Sequence, residues 1–375
     1  MDFDFTDDQQ SLRDAVRRWA DKGFGFERRH AIAKAGGATR EVYRELAELG
    51  LAGLVVPESE GGLGQGAIEA MVVCEELGRG LVNAPYAEAA LMVPRLLARA
   101  PAPLRSAWLP RVASGEALVV PALHERGARY RLAHVGVNAQ ARGDLWTLTG
   151  AKTLVPAGDE ADAFVVPARI GGAKDDPSGI GLFLVDRGAV QVRGFPTQDG
   201  ARAAELTLAV TPALLICKDA YGAIEEAVDH GLAAQCAEGV GLMDRLVEIT
   251  VDYMNTRKQF GVAIASFQAL RHRIADVKMQ LELGRSMSYF ATLTLGRERA
   301  QRRRAVSQAR VQLGQSMRFV GQQCVQLHGG IGVTDEYVGS HYFKRLTMLE
   351  MNFGDTMHHL GEVSARMQDT AGVFA

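Results

Sequence analysis

Apolar spacing in this chain switches from helical to alternating and back to helical, and that double switch limits the fold more than any other feature. Between Thr6 and about Ala113 the period is helical. Thr6 can cap a helix carrying Leu12, Val16 and Trp19, Thr39 a second with Val42, Leu46 and Leu49, and Ala67 to Leu77 reads as a third. From Leu118 to Val210 short β-rich runs take over: "LVVPAL", "LWTLTG", "AFVVPA", "IGLFLV" and "ELTLAV", parted by Gly, Asp and Pro clusters. They predict a small antiparallel β domain. From Ala220 onward long helices are expected at about 220–257, 266–295, 302–328 and 341–368, the last with Leu346, Leu349, Phe353, Met357, Leu360 and Met367 in one row. Such stripes suit an antiparallel four-helix bundle. The expectation is an α+β chain: an N-terminal helical domain at 1–115, a central small β domain at 116–215 and a C-terminal four-helix bundle at 216–375.

Charge narrows the partners. Forty-two basic and forty-four acidic side chains leave a net charge of -2, which gives no general attraction to nucleic acid or anionic lipid. The opening "MDFDFTDDQQ" lacks the basic and apolar regions of a signal peptide, and no window holds about 18 consecutive apolar residues. Cys74, Cys217, Cys236 and Cys324 are scattered without a C-x-x-C, as expected of free thiols in a reducing, cytoplasmic compartment.

Several motifs have plain readings. "GGLGQG" at 61–66 lacks G-x-G-x-x-G spacing and a βαβ unit, so it does not predict a dinucleotide fingerprint. "RERAQRRR" at 297–304 falls between two bundle helices, where charged side chains face water. His358 and His359 are adjacent and diverge on a helix, and no H-x-x-x-H occurs, so no metal site is expected.

Two other stretches ask for a ligand. "TRKQFG" at 256–261 ends a helix that buries Val240, Met243, Val247 and Met254, and it places Arg257 at the stop. "QCVQLHGGIGV" at 323–333 ends another helix in two glycines. One serves the left-handed cap; the second marks either a tight turn or close approach to the main chain.

With "YMNTRKQFG", "SFQALRHRIAD", "QLHGGIGV", "PESEGGLG" and "LTGAK" in a helix, β, helix order, nearly the whole chain resembles the acyl-CoA dehydrogenase family of flavoproteins. The resemblance implies an acyl-CoA dehydrogenase-like fold, a dimer or dimer of dimers, homomeric or heteromeric, and FAD lying across a subunit interface. It implies that Arg257 meets the FAD diphosphate, a role suited to a planar, permanently charged fork. Phe260 and Ile264 would flank the adenosine, Gln268 and Gln326 would supply polar contacts, and Gly329 and Gly330 would admit the cofactor close to the main chain. The implied chemistry is α,β-dehydrogenation of an acyl-CoA thioester, with electrons passed to an electron-transfer flavoprotein. A carboxylate base with a raised pKa must remove the α-proton.

Here the chain departs from the family. Phe353 in "NFGD" stands where the usual glutamate of a Tyr-Glu-Gly-Thr segment would be, and Gly231 stands at the alternative position on the first bundle helix. "HER" at 124–126 and "LVP" at 154–156 replace the family's Thr-Glu-Pro and Trp-Ile-Thr segments beside the flavin ring. Glu238, seven residues after Gly231 on the same helix face, is the substitute base, with Asp355 a further one; Glu238, Arg245 and Asp252 also read as a polar stripe. The ending "HYFKRLTMLEMNFGDTMHHL" looks most like the small subunit of pimeloyl-CoA dehydrogenase-type heteromers. Two readings stand: a competent flavoenzyme with a relocated base, or a non-catalytic partner that completes the FAD site of a catalytic large subunit.

Overall fold

A computed structural model describes residues 4–143 and 145–367. Six helices lead: α1 (Asp7–Gly23), α2 (Phe26–Lys34), α3 (Arg40–Glu48), α4 (Ala67–Arg79), α5 (Val93–Leu97), preceded by a π-helical turn at Ala87–Met92, and α6 (Ala102–Ala113). Strands β1 (Val119–Pro121), β2 (Asn138–Arg142), β3 (Leu145–Pro156), β4 (Ala163–Arg169), β5 (Ile180–Asp186), β6 (Gln191–Pro196) and β7 (Arg202–Cys217) follow. The remainder is α7 (Tyr221–Thr256), a short hairpin of β8 (Lys258–Gln259) and β9 (Val262–Ala263), then α8 (Gln268–Thr294), α9 (Arg299–His328), α10 (Val338–Met351) and α11 (Thr356–Ala365). Among the described residues no helix is long and apolar enough to cross a membrane.

The chain forms two compact units. The first takes Met1–Arg29, Ala67–Val82 and Leu232–Ala375, the second His30–Gly66 and Asn83–Gly231.

In the second unit every expected β run becomes a strand, but the sheet is mixed rather than antiparallel. β1 runs parallel to β4 (Val119 beside Ala163), and β2 meets β4 parallel at Asn138 and Arg169. Local alternation carries no information on strand direction, and β1, buried along its whole length, has the apolar run usual for a parallel strand. β5 pairs β4 on one side and β7 on the other, and β7 returns through β3 to β2, so the sheet closes on itself. Its core holds Leu148, Phe164, Val166, Phe183, Val185 and Leu206. Gly150 marks a register shift between β3 and β7, and a Cβ there would lie 2.9 Å from Val137 Cα. The expected Thr39 cap of α3 is replaced: Thr39 makes no side-chain cap bond, and the Glu160 carboxylate accepts the N–H groups of Thr39 (2.8 Å) and Arg40 (2.6 Å). A carboxylate satisfies the orphan donors of a helix start and complements its dipole.

In the first unit Thr6 and Gln9 form a reciprocal capping box on α1. α9 packs against α8, α10 and α11. α4 and α7 cross at glycines: a Cβ on Gly78 would overlap the Glu238 carbonyl oxygen, and one on Gly241 the Glu75 carbonyl oxygen.

The fourth bundle helix is broken, against the single helix expected at 341–368. After Met351 the chain turns extended at Asn352, then takes positive φ at Phe353 (+53°) and Gly354 (+133°), and restarts at α11 with Asp355 accepting the His358 N–H (2.8 Å). The buried Arg310 guanidinium stabilises the break. Its Nη2, with two hydrogens to share, lies within hydrogen-bond distance of the carbonyls of Leu349 (2.7 Å), Asn352 (3.1 Å) and Gly354 (3.2 Å). The predicted row therefore does not continue: Phe353 is buried, whereas Met357 is 71% exposed.

His359 is 1% exposed below this break. Burial, with Arg310, His358 and Arg303 adding to it, drops its imidazole to about 2, so it is neutral in the fold but protonates in the unfolded chain below about 6.5. Its contribution to stability is full above that value and falls with acidification, by about 1.4 kcal/mol per pH unit. His359→Gln is expected to flatten the pH dependence of urea unfolding between pH 6.5 and 4; an unchanged slope would remove His359 from the account.

Candidate cofactor site

The site begins where α7 stops. Arg257 donates its N–H to the Tyr253 carbonyl (2.8 Å), and its own carbonyl accepts from Ile264 (2.9 Å), which closes the β8–β9 hairpin. The two-residue loop, Phe260 (φ +54°) and Gly261 (φ +82°), has the positive dihedrals of a type I′ turn. Phe260 occupies a position that favours Asn or Gly and is 92% exposed, with its ring edge-on to Phe267 at 6.1 Å. The Arg257 side chain is exposed, and among the described residues no carboxylate or carbonyl engages its guanidinium.

α9 ends against the same corner. Gly329 caps it at φ +66°, and its N–H donates to the Gln326 carbonyl. Neither Gly329 nor Gly330 has an atom within 4 Å of where a Cβ would stand, and Gly330 has no positive φ. Conformation therefore explains the first glycine but not the second, and internal crowding explains neither. The open strip of main chain is a cradle that side chains would fill.

The two segments are joined by Met254, Ile264 and Leu327, which form one buried cluster, and by the Tyr253 hydroxyl donating to the His328 carbonyl (3.2 Å). Arg257, Phe260, Gln326, Gly329 and Gly330 are thereby gathered at one end of the helices, and exposed Gln268 opens α8 beside them. Ile264 is placed differently from the others: it is 8% exposed and packs inward within the cluster. Sequence reasoning missed Tyr253, His328 and Tyr337, whose rings lie in series at tilted angles with centroids 4.6 and 4.9 Å apart. The Tyr253 and Arg257 spacing of four was the available signal.

The exposed fork and bare turn suit a dinucleotide: the guanidinium matches phosphate oxygens, and the main chain admits a flat group.

Each position considered for a base has a definite setting. Phe353 offers no proton acceptor. At Gly231 a Cβ would lie 2.6 Å from Met92 Sδ, so Met92 fills the space a longer side chain needs. Glu238 is 8% exposed and accepts from Arg345 Nε (2.6 Å), while Asp355 is occupied as the α11 cap. In the second unit Lys152, fully buried, donates to Glu125 (2.7 Å), which also accepts from the Gly136 (2.7 Å) and Val137 (3.2 Å) N–H groups. Burial opposes the Glu125 charge, but Lys152 and these bonds outweigh it and hold its carboxyl below the usual range. Burial, then Lys152, pushes His124 down to about 4, and Leu154 is held at φ +51° and 55% exposed.

Residues 6–116 match the family model described as acyl-CoA dehydrogenase, N-terminal domain, and residues 221–368 the one described as acyl-CoA dehydrogenase, C-terminal domain. Acyl-CoA dehydrogenase FadE27 of Mycobacterium tuberculosis is 28% identical, over 99% of this chain and 100% of that protein. The ChsE4-ChsE5 complex of the same organism contains a chain that superposes with a TM-score of 0.87 at 27% identity, covering 99% of this chain and 100% of that one. A glutaryl-coenzyme A dehydrogenase in complex with glutaryl-CoA shares the fold, with a TM-score of 0.91 at 22% identity over 98% and 97% of the two chains.

Proposed function

Because the chain belongs to the acyl-CoA dehydrogenase family, FAD-dependent oxidoreductases acting on CH–CH bonds, we propose that it serves α,β-dehydrogenation of an acyl-CoA as a cofactor-gripping subunit whose partner supplies the base. The observation that carries this reading is the pairing of an intact grip with closed base positions. Arg257 and the Gly329–Gly330 turn stand ready for a diphosphate, whereas Phe353 and the Met92-filled space at Gly231 leave both family positions without a carboxylate.

FAD, when bound, supplies the hydride acceptor for the β-carbon. What this chain contributes is binding. The Arg257 fork neutralises the diphosphate, Gln268 and Gln326 offer exposed amides, and Phe260 presents a ring face to the adenosine. Proton removal falls to a homologous chain across the interface. The ChsE4-ChsE5 neighbour is by its title a complex of two different chains, and the likeness of the C-terminal motifs to pimeloyl-CoA dehydrogenase small subunits agrees with such a heteromer. An electron-transfer flavoprotein would take the electrons, in the cytoplasm, a setting that suits free Cys74, Cys217, Cys236 and Cys324.

A second reading retains support from Glu238, a buried carboxylate on α7. Flavin content and acyl-CoA bleaching, measured on the chain alone and in its native assembly, separate the two. The expected result is one FAD per two chains, no bleaching by the chain alone, and unchanged turnover in Glu238→Gln. Arg257→Ala is expected to weaken FAD binding about 30-fold, the worth of a charged hydrogen-bonded contact. A chain that is yellow and bleaches by itself, or turnover lost in Glu238→Gln, would replace the partner reading with the relocated base.

A further inference from the structure

We propose that Tyr253 is a positioning residue of the grip, a side chain whose hydrogen bond sets the spacing between the arginine and the glycine turn. The inference rests on reading the ends of α7 and α9 as the FAD site. Tyr253 lies one turn before Arg257, and its carbonyl accepts the Arg257 N–H (2.8 Å), the last helical bond before the hairpin. Its hydroxyl crosses to the other half and donates to the carbonyl of His328 (3.2 Å), 75 residues away in sequence and immediately before Gly329. That carbonyl belongs to the end of α9, where the helix offers no donor of its own. One residue thus holds the main chain on both sides of the cradle.

The geometry around His328 makes the link directional. Its Nδ1 lies 2.7 Å from the Cys324 carbonyl, which can only accept, so Nδ1 carries the hydrogen. Nε2 then accepts from the Tyr337 hydroxyl (2.8 Å). Burial holds the imidazole below its ordinary range, so it is neutral. The ring is fixed from α9 and from the lead-in to α10; Tyr253 on α7 meets it with centroids 4.6 Å apart, and its hydroxyl holds the main-chain carbonyl of the same residue. The bond can be removed without disturbing the packing: Met254, Ile264 and Leu327 still join the segments in Tyr253→Phe. What changes is the freedom of the turn to slide relative to the guanidinium, and a two-point contact with phosphate is sensitive to such a slide.

The test titrates FAD into the flavin-stripped native assembly carrying Tyr253→Phe, Arg257→Ala or both, with thermal unfolding of each flavin-free sample. Tyr253→Phe is expected to weaken FAD binding about fivefold, the worth of one neutral hydrogen bond. Its flavin-free melting temperature should stay within about 2 °C of the parent. Because Tyr253 acts through Arg257, the double variant should bind no more weakly than Arg257→Ala alone. Unchanged FAD affinity in Tyr253→Phe, a loss explained by a lower melting temperature, or additive losses would each overturn the positioning role while leaving the FAD site standing. Parent-like binding by Arg257→Ala would overturn the FAD reading itself, and this inference with it.

Discussion

Gly241→Ala is expected to lower the unfolding free energy by about 3 kcal/mol or more, as overpacking against main chain does. A Cβ at this position on α7 overlaps the Glu75 carbonyl oxygen of α4 and would stand 2.8 Å from the Arg79 nitrogen. Both obstacles are backbone atoms of a helix, so no rotamer change relieves them. The crossing is reciprocal, since Gly78 on α4 faces the Glu238 carbonyl in the same way. Relief would require the helices to separate, with loss of packing along α4 and strain on the ion pairs between Arg79 and Glu248 (2.8 Å) and between Arg285 and Glu75 (2.6 Å). Gly361→Ala is the internal control. It sits within α11 with nothing within 4 Å, and replacing glycine there should stabilise by about 0.5–1 kcal/mol. Urea unfolding of the two variants should move in opposite directions; a Gly241→Ala protein as stable as its parent would show that the helices part at little cost.

Lys152→Met should cost about 3–5 kcal/mol, the usual penalty for leaving one member of a buried ion pair without the other. Lys152 is 1% exposed and Glu125 9% exposed, and the carboxylate keeps two main-chain donors when the ammonium is gone. Those two bonds do not offset the desolvation of the charge. Adding Glu125→Gln should recover part of the loss, because a neutral amide needs no counter-ion and its one oxygen can still accept from Gly136, although its NH2 then faces the Val137 N–H. A double-mutant cycle by urea unfolding measures the coupling, and additive losses would mean the pair is not an energetic unit.

The bundle was legible because α7, α8 and α9 are long and carry apolar residues at helical spacing, as Val240, Met243 and Val247 do on α7. The fourth helix misled for the same reason. Phe353 keeps the spacing of Leu349 and Met357, while the Gly354-Asp355 pair that stops one helix and starts the next is only two residues long. Arg257 and the glycine pair could be singled out because each breaks a local pattern. The resemblance puts Ile264 beside the adenosine, but an apolar residue at a hairpin end can face either way, and here it packs inward. Least visible were partnerships between distant segments: Glu160 capping α3 from 121 residues away, and Glu125 meeting Lys152 across 27. Such pairs leave no periodic trace, and strand direction leaves none either.

The circular pairing of β2, β3, β7, β5 and β4 bears on where this sheet could be extended by another chain. Open sheets present a row of unclaimed amide and carbonyl groups on which neighbouring molecules polymerise, and here that row is confined to β1 and β6, which each pair on one side, and to β2, which meets β4 at a single residue. Edge-to-edge growth through this sheet would therefore have to begin on strands of only three, five or six residues.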